Sequence, residues 1–144
     1  MQKRNSDKLQ YAIQTLKDAI EYSRSGEFHG LGVEFKSVLI SAVVQNFNLT
    51  FAVCRKMIHR QLADRFGEET MEGISSEELL RMAAREGMIS NLNRWLEYLD
   101  CEQLTPSGNV ALRTFEKSAT FLGDVGEILD TCSTRSQNER RRAA

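Results

Sequence analysis

Between Gly32 and Gly67 the chain runs through VEFKSVLISAVVQNFNLTFAVCRKMIHRQLADRF without a proline or a glycine. A run with no breaker over that length predicts one continuous helix of about 50 Å, at 1.5 Å per residue. That is long for a chain of 144 residues, so the other segments must be arranged around it. Val44, Phe47, Phe51, Cys54, Ile58 and Leu62 trace one face at helical spacing. Val38, Ala42, Gln45, Leu49, Ala52, Lys56 and His59 trace another. The first half, VLISAVVQNFNLTFAV, is apolar nearly all round and needs cover on two sides. One side suits the core of the fold, and the other suggests a subunit interface. The second half, RKMIHRQLADRF, is amphipathic and basic.

The flanking segments are helical too. Leu9, Ile13, Leu16 and Ile20 recur at helical spacing, widened by Ala12 and Ala19, with Asn5 or Ser6 as cap and Gly26 at the end. EFHGLG (27–32) reads as a connection, and GEETMEG (67–73) as a mobile acidic loop. Ser75 with Glu78 three residues on forms a capping box that opens SEELLRMAARE, and Gly87 closes it. Ser90 can cap the next helix, whose expected buried stripe is Leu92, Trp95, Leu96 and Leu99. The only proline, Pro106, interrupts with TPSGN. A last helix is expected from Asn109 to Thr131 through Ala111, Leu112, Phe115, Ala119, Leu122, Val125 and Leu129. The expectation is an all-α antiparallel up-and-down bundle of four main helices plus a short one, spanning residues 1–130 as a single domain. The polar remainder, 131–144, reads as a flexible basic tail.

A formal net charge of −1 gives no global field toward nucleic acid or anionic lipid, so any basic site must be local. Three widely spaced cysteines and two histidines offer almost no material for a metal site. They fit free thiols in a reducing cytosol. MQKRNSDKLQ lacks the apolar core of a signal peptide, and no apolar run is expected to approach the ~18 residues of a membrane span. A cytoplasmic protein without a cofactor follows from these features.

Catalytic material is sparse. Cys54 and His59 are five residues apart and point to different faces, so Cys54 reads as core filling. Arg55 with His59, and Lys56 with Arg60, share a helix side at four-residue spacing and could bind phosphate or an acidic partner, although a solvated face explains them too. Arg135 and Arg140 to Arg142 could touch RNA. Trp95 reads as packing rather than ligand stacking.

Two stretches carry a resemblance. VVQNFNLTFAVCRKMI (43–58) is similar to the long-helix pattern of the nucleotidyltransferase substrate-binding protein family, Gln-Arg-Phe-Glu-(Phe/Tyr)-Thr-Phe-Glu-Leu-(Ala/Cys)-Trp-Lys. Gln45, Phe47, Thr50, Phe51 and Lys56 match in register. SSEELLRMAAREGMISNLNRWLEYLDCEQLT (75–105) resembles the family's capped short helix, Gly-Leu-Ile turn and Trp-Leu-x-x-Leu helix. The order of the first and last helices agrees as well, so the resemblance covers about residues 6–130. It implies a compact bundle of the HEPN kind, a homodimer, and a separate small nucleotidyltransferase as partner, in some cases as a toxin–antitoxin pair. Active HEPN ribonucleases cut RNA without metal through an Arg-x4-6-His motif.

In this register the motif's Arg falls on Glu102 and its His on Ser107, while Leu104 and Thr105 are kept. Glu102 would repel a phosphate, and Ser107 has no useful proton affinity near neutral pH. The family's two acidic positions fall on Asn48 and Ala52, its long-helix Arg on Asn46 and its Trp on Arg55. The resemblance with these departures implies a non-catalytic accessory subunit that holds substrate for a nucleotidyltransferase. Its expected binding residues are Asn48, Arg55, Lys56, Arg94, Glu102 and Thr105, with a nucleotide among the ligands to consider. No catalytic or metal-ligating residue is assigned. Two alternatives stay open: a metal-independent ribonuclease with a rebuilt site using His59 with Arg55 or Arg60, and a purely structural dimeric interaction module.

Overall fold

The computed structural model describes the backbone of residues 2–103 and 108–143, and side chains for 7–103 and 111–132. Among the described residues seven helices follow one another: α1 (Gln2–Ser23), α2 (Gly26–His29), α3 (Val33–Phe66), α4 (Glu68–Met71), α5 (Ser76–Arg85), α6 (Leu92–Gln103) and α7 (Gly108–Ala143). No strand occurs among the described residues. The unbroken run 33–66 is one helix, as its lack of breakers requires, and α1, α4, α5, α6 and α7 all pack against it.

The α1 stripe is as expected: Leu9, Ala12, Leu16 and Ile20 are buried, with Ile13 and Ala19 packed beside them. The two short connections are more structured than their sequences suggest. Ser25 caps the single turn of α2 by accepting the Phe28 N–H at 3.3 Å, and Phe28 is buried. Residues 68–71 are likewise helical rather than a mobile loop, because Met71 inserts fully into the core. In α5 the Ser75 hydroxyl accepts the Glu78 N–H at 3.1 Å. Its exit is a Schellman turn: Met88 N–H reaches the Ala83 carbonyl at 2.9 Å and Gly87 N–H the Ala84 carbonyl at 3.1 Å, with Gly87 at φ +75°. The cap of α6 is Asn91, one residue later than expected, whose Oδ1 accepts the Arg94 N–H at 3.1 Å.

At the centre, Phe47 and Phe51 of α3, Trp95 and Tyr98 of α6 and Phe121 of α7 form one aromatic cluster, all fully buried. Phe47 and Phe121 approach to 4.4 Å between centroids, and Tyr98 meets Phe121 edge-on at 5.0 Å. Such pairs contribute about 0.5–1.5 kcal/mol each beyond the area they bury. The cluster fixes which faces turn inward, and here two expected stripes are rotated. On α7 the core face is Thr114, Ser118, Phe121, Val125, Ile128 and Cys132, while Leu112 and Ala119 are exposed and Phe115, Leu122 and Leu129 lie half-buried. Burying Ser118 costs little because its hydroxyl donates to the Thr114 carbonyl at 2.8 Å. On α6 the buried set is Trp95, Tyr98, Leu99 and Cys101, with Leu92 and Leu96 at its margin.

α7 also continues to Ala143, beyond the expected end near Thr131. The polar run after 132 contains no proline or glycine and several good helix formers, so nothing in it stops the helix.

The long helix holds an 18-residue window of mean hydropathy 1.5, enough by length and composition for a membrane span, contrary to the sequence expectation. One-third of that window is buried within the bundle, where α3 serves as the central core helix. On its other side Phe35, Val38 and Leu49 remain exposed, each by more than half of its surface.

Candidate functional site

The basic half of α3 faces the start of α5 and the end of α6. Arg55 reaches across to both. Its Nη2 lies 3.3 Å from Glu102 Oε1 and its Nη1 3.4 Å from Oε2, a side-by-side pairing of two residues 47 apart in sequence. Nη1 also donates to Ser76 Oγ at 3.4 Å, and the guanidinium carbon sits 5.6 Å from the Phe51 ring centroid. The stacking plane, the paired carboxylate and the hydroxyl together hold the guanidinium in one orientation. These bonds are longer than the 2.7–2.9 Å usual for charge-assisted pairs, and both side chains are partly exposed. The pair is therefore a weak lock on stability, and its main effect is to cancel charge locally.

Asn48 lies two turns before Arg55 on the same side of α3, with the small Ala52 between them. Its Oδ1 is buried and accepts no hydrogen bond among the described residues. An unmet buried acceptor costs about 1–3 kcal/mol, so this oxygen is the feature of the site that most calls for a donor. Lys56 is exposed on the neighbouring side of the helix. His59, one turn past Arg55, is half-buried. Thr105 and Ser107 lie outside the described residues. Beside Ser76 a cavity of about 400 Å³ is lined by Ser75, Ser76, Glu77, Leu96, Leu99, Asp100 and Gln103. Its charged lining is wholly acidic, which disfavours a phosphate there.

Arg94 belongs elsewhere. Eight residues before Glu102, about 12 Å along the helix, it binds Asp124 of α7 through Nε at 3.0 Å and Nη2 at 2.6 Å. Asp124 is buried and also accepts the Tyr98 hydroxyl at 2.6 Å. The hydrogen bond to Asp124 raises the Arg94 pKa further, and burial followed by Tyr98's own bond to Asp124 holds the Tyr98 hydroxyl well above its ordinary range. This triad ties α6 to α7 and uses Arg94 for architecture.

Cys54 is no nucleophile. It is fully buried, and burial, with Cys132 nearby adding to it, pushes its thiol far up from the ordinary value.

Thus the structure brings Arg55 and Glu102 together, sets Asn48 near them on the same helix side, leaves Lys56 in solvent and assigns Arg94 to an internal ion pair. Sequence reasoning missed Ser76, Tyr98 and Asp124. Ser76 gave no signal beyond its place next to a capping serine. Asp124 was visible as the lone acid within the Phe121, Val125, Ile128 spacing, a buried charge that requires a partner.

Comparison with known proteins places the chain in a family and a fold. Residues 4–131 match the family model described as nucleotidyltransferase substrate binding protein like. A Haemophilus influenzae protein named probable ribonuclease HepT is 24% identical over 106 residues, 71% of this chain and 73% of that protein. A solved structure from the same organism, described as revealing the fold of a substrate binding domain of a nucleotidyltransferase, superposes with a TM-score of 0.80. The superposition has 21% identity and covers 89% of this chain and 98% of that one. At that identity the likeness speaks to fold alone.

Proposed function

We propose that this chain, which belongs to the family of nucleotidyltransferase substrate-binding-like proteins, is a non-catalytic accessory subunit that partners a small nucleotidyltransferase and helps to hold its substrate. The observation that carries this reading is the Arg55–Glu102 pair. Where the resemblance puts an arginine able to grip phosphate, this chain has a carboxylate, and the nearby guanidinium is spent on neutralising it. A site so balanced cannot stabilise a phosphorane by excess positive charge. It can still orient a ligand through the exposed edge of Arg55.

The partner arrangement rests on α3. Phe35, Val38 and Leu49 project from a helix whose opposite face is already in the core. A two-fold packing of α3 against a second copy removes that surface from water and gives a homodimer for the nucleotidyltransferase to bind. A toxin–antitoxin role and a cytoplasmic setting belong to the same proposal.

Co-expression with a small nucleotidyltransferase, followed by size-exclusion chromatography, tests it. The expected result is a complex containing two copies of this chain. Failure to co-elute at micromolar concentration would sink the partnership.

One observation favours a second reading as a ribonuclease with a rebuilt site: His59 is half-buried one turn from Arg55, on the same side of α3. RNA cleavage by the purified protein that disappears in His59→Ala would establish it. Cleavage unaffected by that change would exclude His59, and no cleavage at all would dismiss the reading.

A further inference from the structure

Residues 67–73, GEETMEG, form a strap that joins α3 to α5. Both of its ends are glycines at positive φ. Gly67 sits at φ +91° and ψ 149°, a region that residues with a side chain essentially never enter, and Gly73 sits at φ +72°. A Cβ at either position would meet nothing within 4 Å, so these glycines serve the bend of the backbone and not a close packing contact. Between them Glu68, Glu69, Thr70 and Glu72 are exposed, and among the described residues their side chains hold no hydrogen bond or ion pair. The carboxylates repel one another and follow the C-terminal end of α3, where the helix dipole is also negative, so electrostatics favours release of the strap.

One side chain holds it down. Met71 is fully buried in the hydrophobic core, and α4 packs chiefly against α3. The exit of the strap is closed by a single backbone bond, from the Ile74 N–H to the Met71 carbonyl at 3.3 Å. Met88 offers the contrast. It is equally buried, but its N–H donates to the Ala83 carbonyl at 2.9 Å inside the turn that ends α5. Met71 can leave the core by a local motion about two glycines, whereas Met88 leaves only when the end of α5 unravels.

We infer that the strap is a redox-sensitive latch: it opens locally about Gly67 and Gly73, and hydrogen peroxide that meets Met71 in the open state fixes it there. In that step a sulfur lone pair attacks one peroxide oxygen. An S–O bond forms as the O–O bond breaks, the sulfur gives up two electrons, and the other oxygen leaves as water after taking a proton. The sulfoxide is polar, and returning it to the core would bury its oxygen among apolar side chains. The strap therefore stays in solvent. It leads through Ile74 and Ser75 into the first turn of α5, so its release loosens the entry of that helix. The latch does not depend on the nucleotidyltransferase reading and survives if that reading fails.

Treating the full chain with hydrogen peroxide near neutral pH, with peptide mass spectrometry over time, tests it. The expected result is sulfoxide at Met71 forming at least about tenfold faster than at Met88, because freeing one anchored side chain costs far less than unfolding the chain. Urea below the unfolding transition should leave the Met71 rate nearly unchanged, as a local opening exposes little surface. In the oxidised protein amide hydrogen exchange should quicken over residues 67–76 while the thermal melt stays cooperative. Met71→Leu keeps an apolar anchor without the sulfur, so peroxide should leave its exchange over the same residues unchanged. The half-buried Met57 and Met82 are present in both proteins and cancel in that comparison. Equal rates at Met71 and Met88, or the same gain in exchange in peroxide-treated Met71→Leu, overturns the inference.

Discussion

Replacing Tyr98 by Phe isolates one bond in the core. The ring is fully buried against Phe47 at 6.0 Å, Trp95 at 5.6 Å and Phe121 at 5.0 Å, so the substitution keeps the packing and removes only the hydroxyl. That hydroxyl donates to Asp124 Oδ2 at 2.6 Å, inside the range of strong O–H bonds to a carboxylate. Bonds to charged groups contribute about 1.5–3 kcal/mol. Asp124 keeps both bonds from Arg94, so the loss should sit in the lower half of that range, about 1.5–2 kcal/mol. For a chain of this length that is a fall in Tm of roughly 5–8 °C. Urea titration should show a lower midpoint at an unchanged slope. The same bond predicts a pH signature. Burial and Asp124 raise the Tyr98 pKa in the folded chain above the value of 10 that it has when unfolded. Its contribution is therefore complete below pH 10 and is lost as pH rises further, because ionising the hydroxyl destroys the donor. Tyr98→Phe should abolish this part of the alkaline decline. A loss below about 0.5 kcal/mol, the range of ordinary surface changes, together with an unchanged alkaline limb, would refute the account of the triad.

Glu102→Gln should release Arg55 and raise retention on a phosphate-bearing or heparin matrix, while an Arg55/Glu102 double-mutant cycle yields a coupling below about 1 kcal/mol, as for a partly exposed pair. For the proposed α3 dimer, Leu49→Asp, at a side chain 56% exposed, should shift the sedimenting species to monomer while leaving the helical circular-dichroism signal nearly unchanged; an intact dimer would remove α3 from the interface. Gly87→Ala should cost about 1–2 kcal/mol, because φ is +75° there and the added Cβ meets no neighbour within 4 Å, so that the whole penalty is backbone. Cys54 should resist alkylation near neutral pH in the folded chain and react on unfolding, since burial suppresses its thiolate.

Much of the fold was legible from local rules. The break-free run 33–66, the Ser75 cap, the Gly87 stop and the α1 stripe depend on residues within four or five positions of one another, and all four took the form expected. The α7 face was misread because hydrophobicity alone ranks Leu112 and Ala119 above Thr114 and Ser118. A hydroxyl satisfied by its own helix is cheap to bury, and sequence spacing does not reveal that. Met71 was hidden in the same way, as one apolar residue inside an acidic stretch.

For the candidate site the division is sharper. The sequence by itself determined that a basic segment of α3 and an acidic Glu102 would exist in this chain, and that Asn48 and Arg55 would share a helix side, because helical periodicity is local. Only the tertiary structure decided that Arg55 meets Glu102 across 47 residues, that Ser76 joins them, and that Arg94 turns to Asp124 instead. Those outcomes depend on how α5, α6 and α7 cross α3, and the crossings are set by the packing of Phe47, Phe51, Trp95, Tyr98 and Phe121. Shape complementarity among five rings drawn from three helices is a collective property, and no segment of the chain carries it alone.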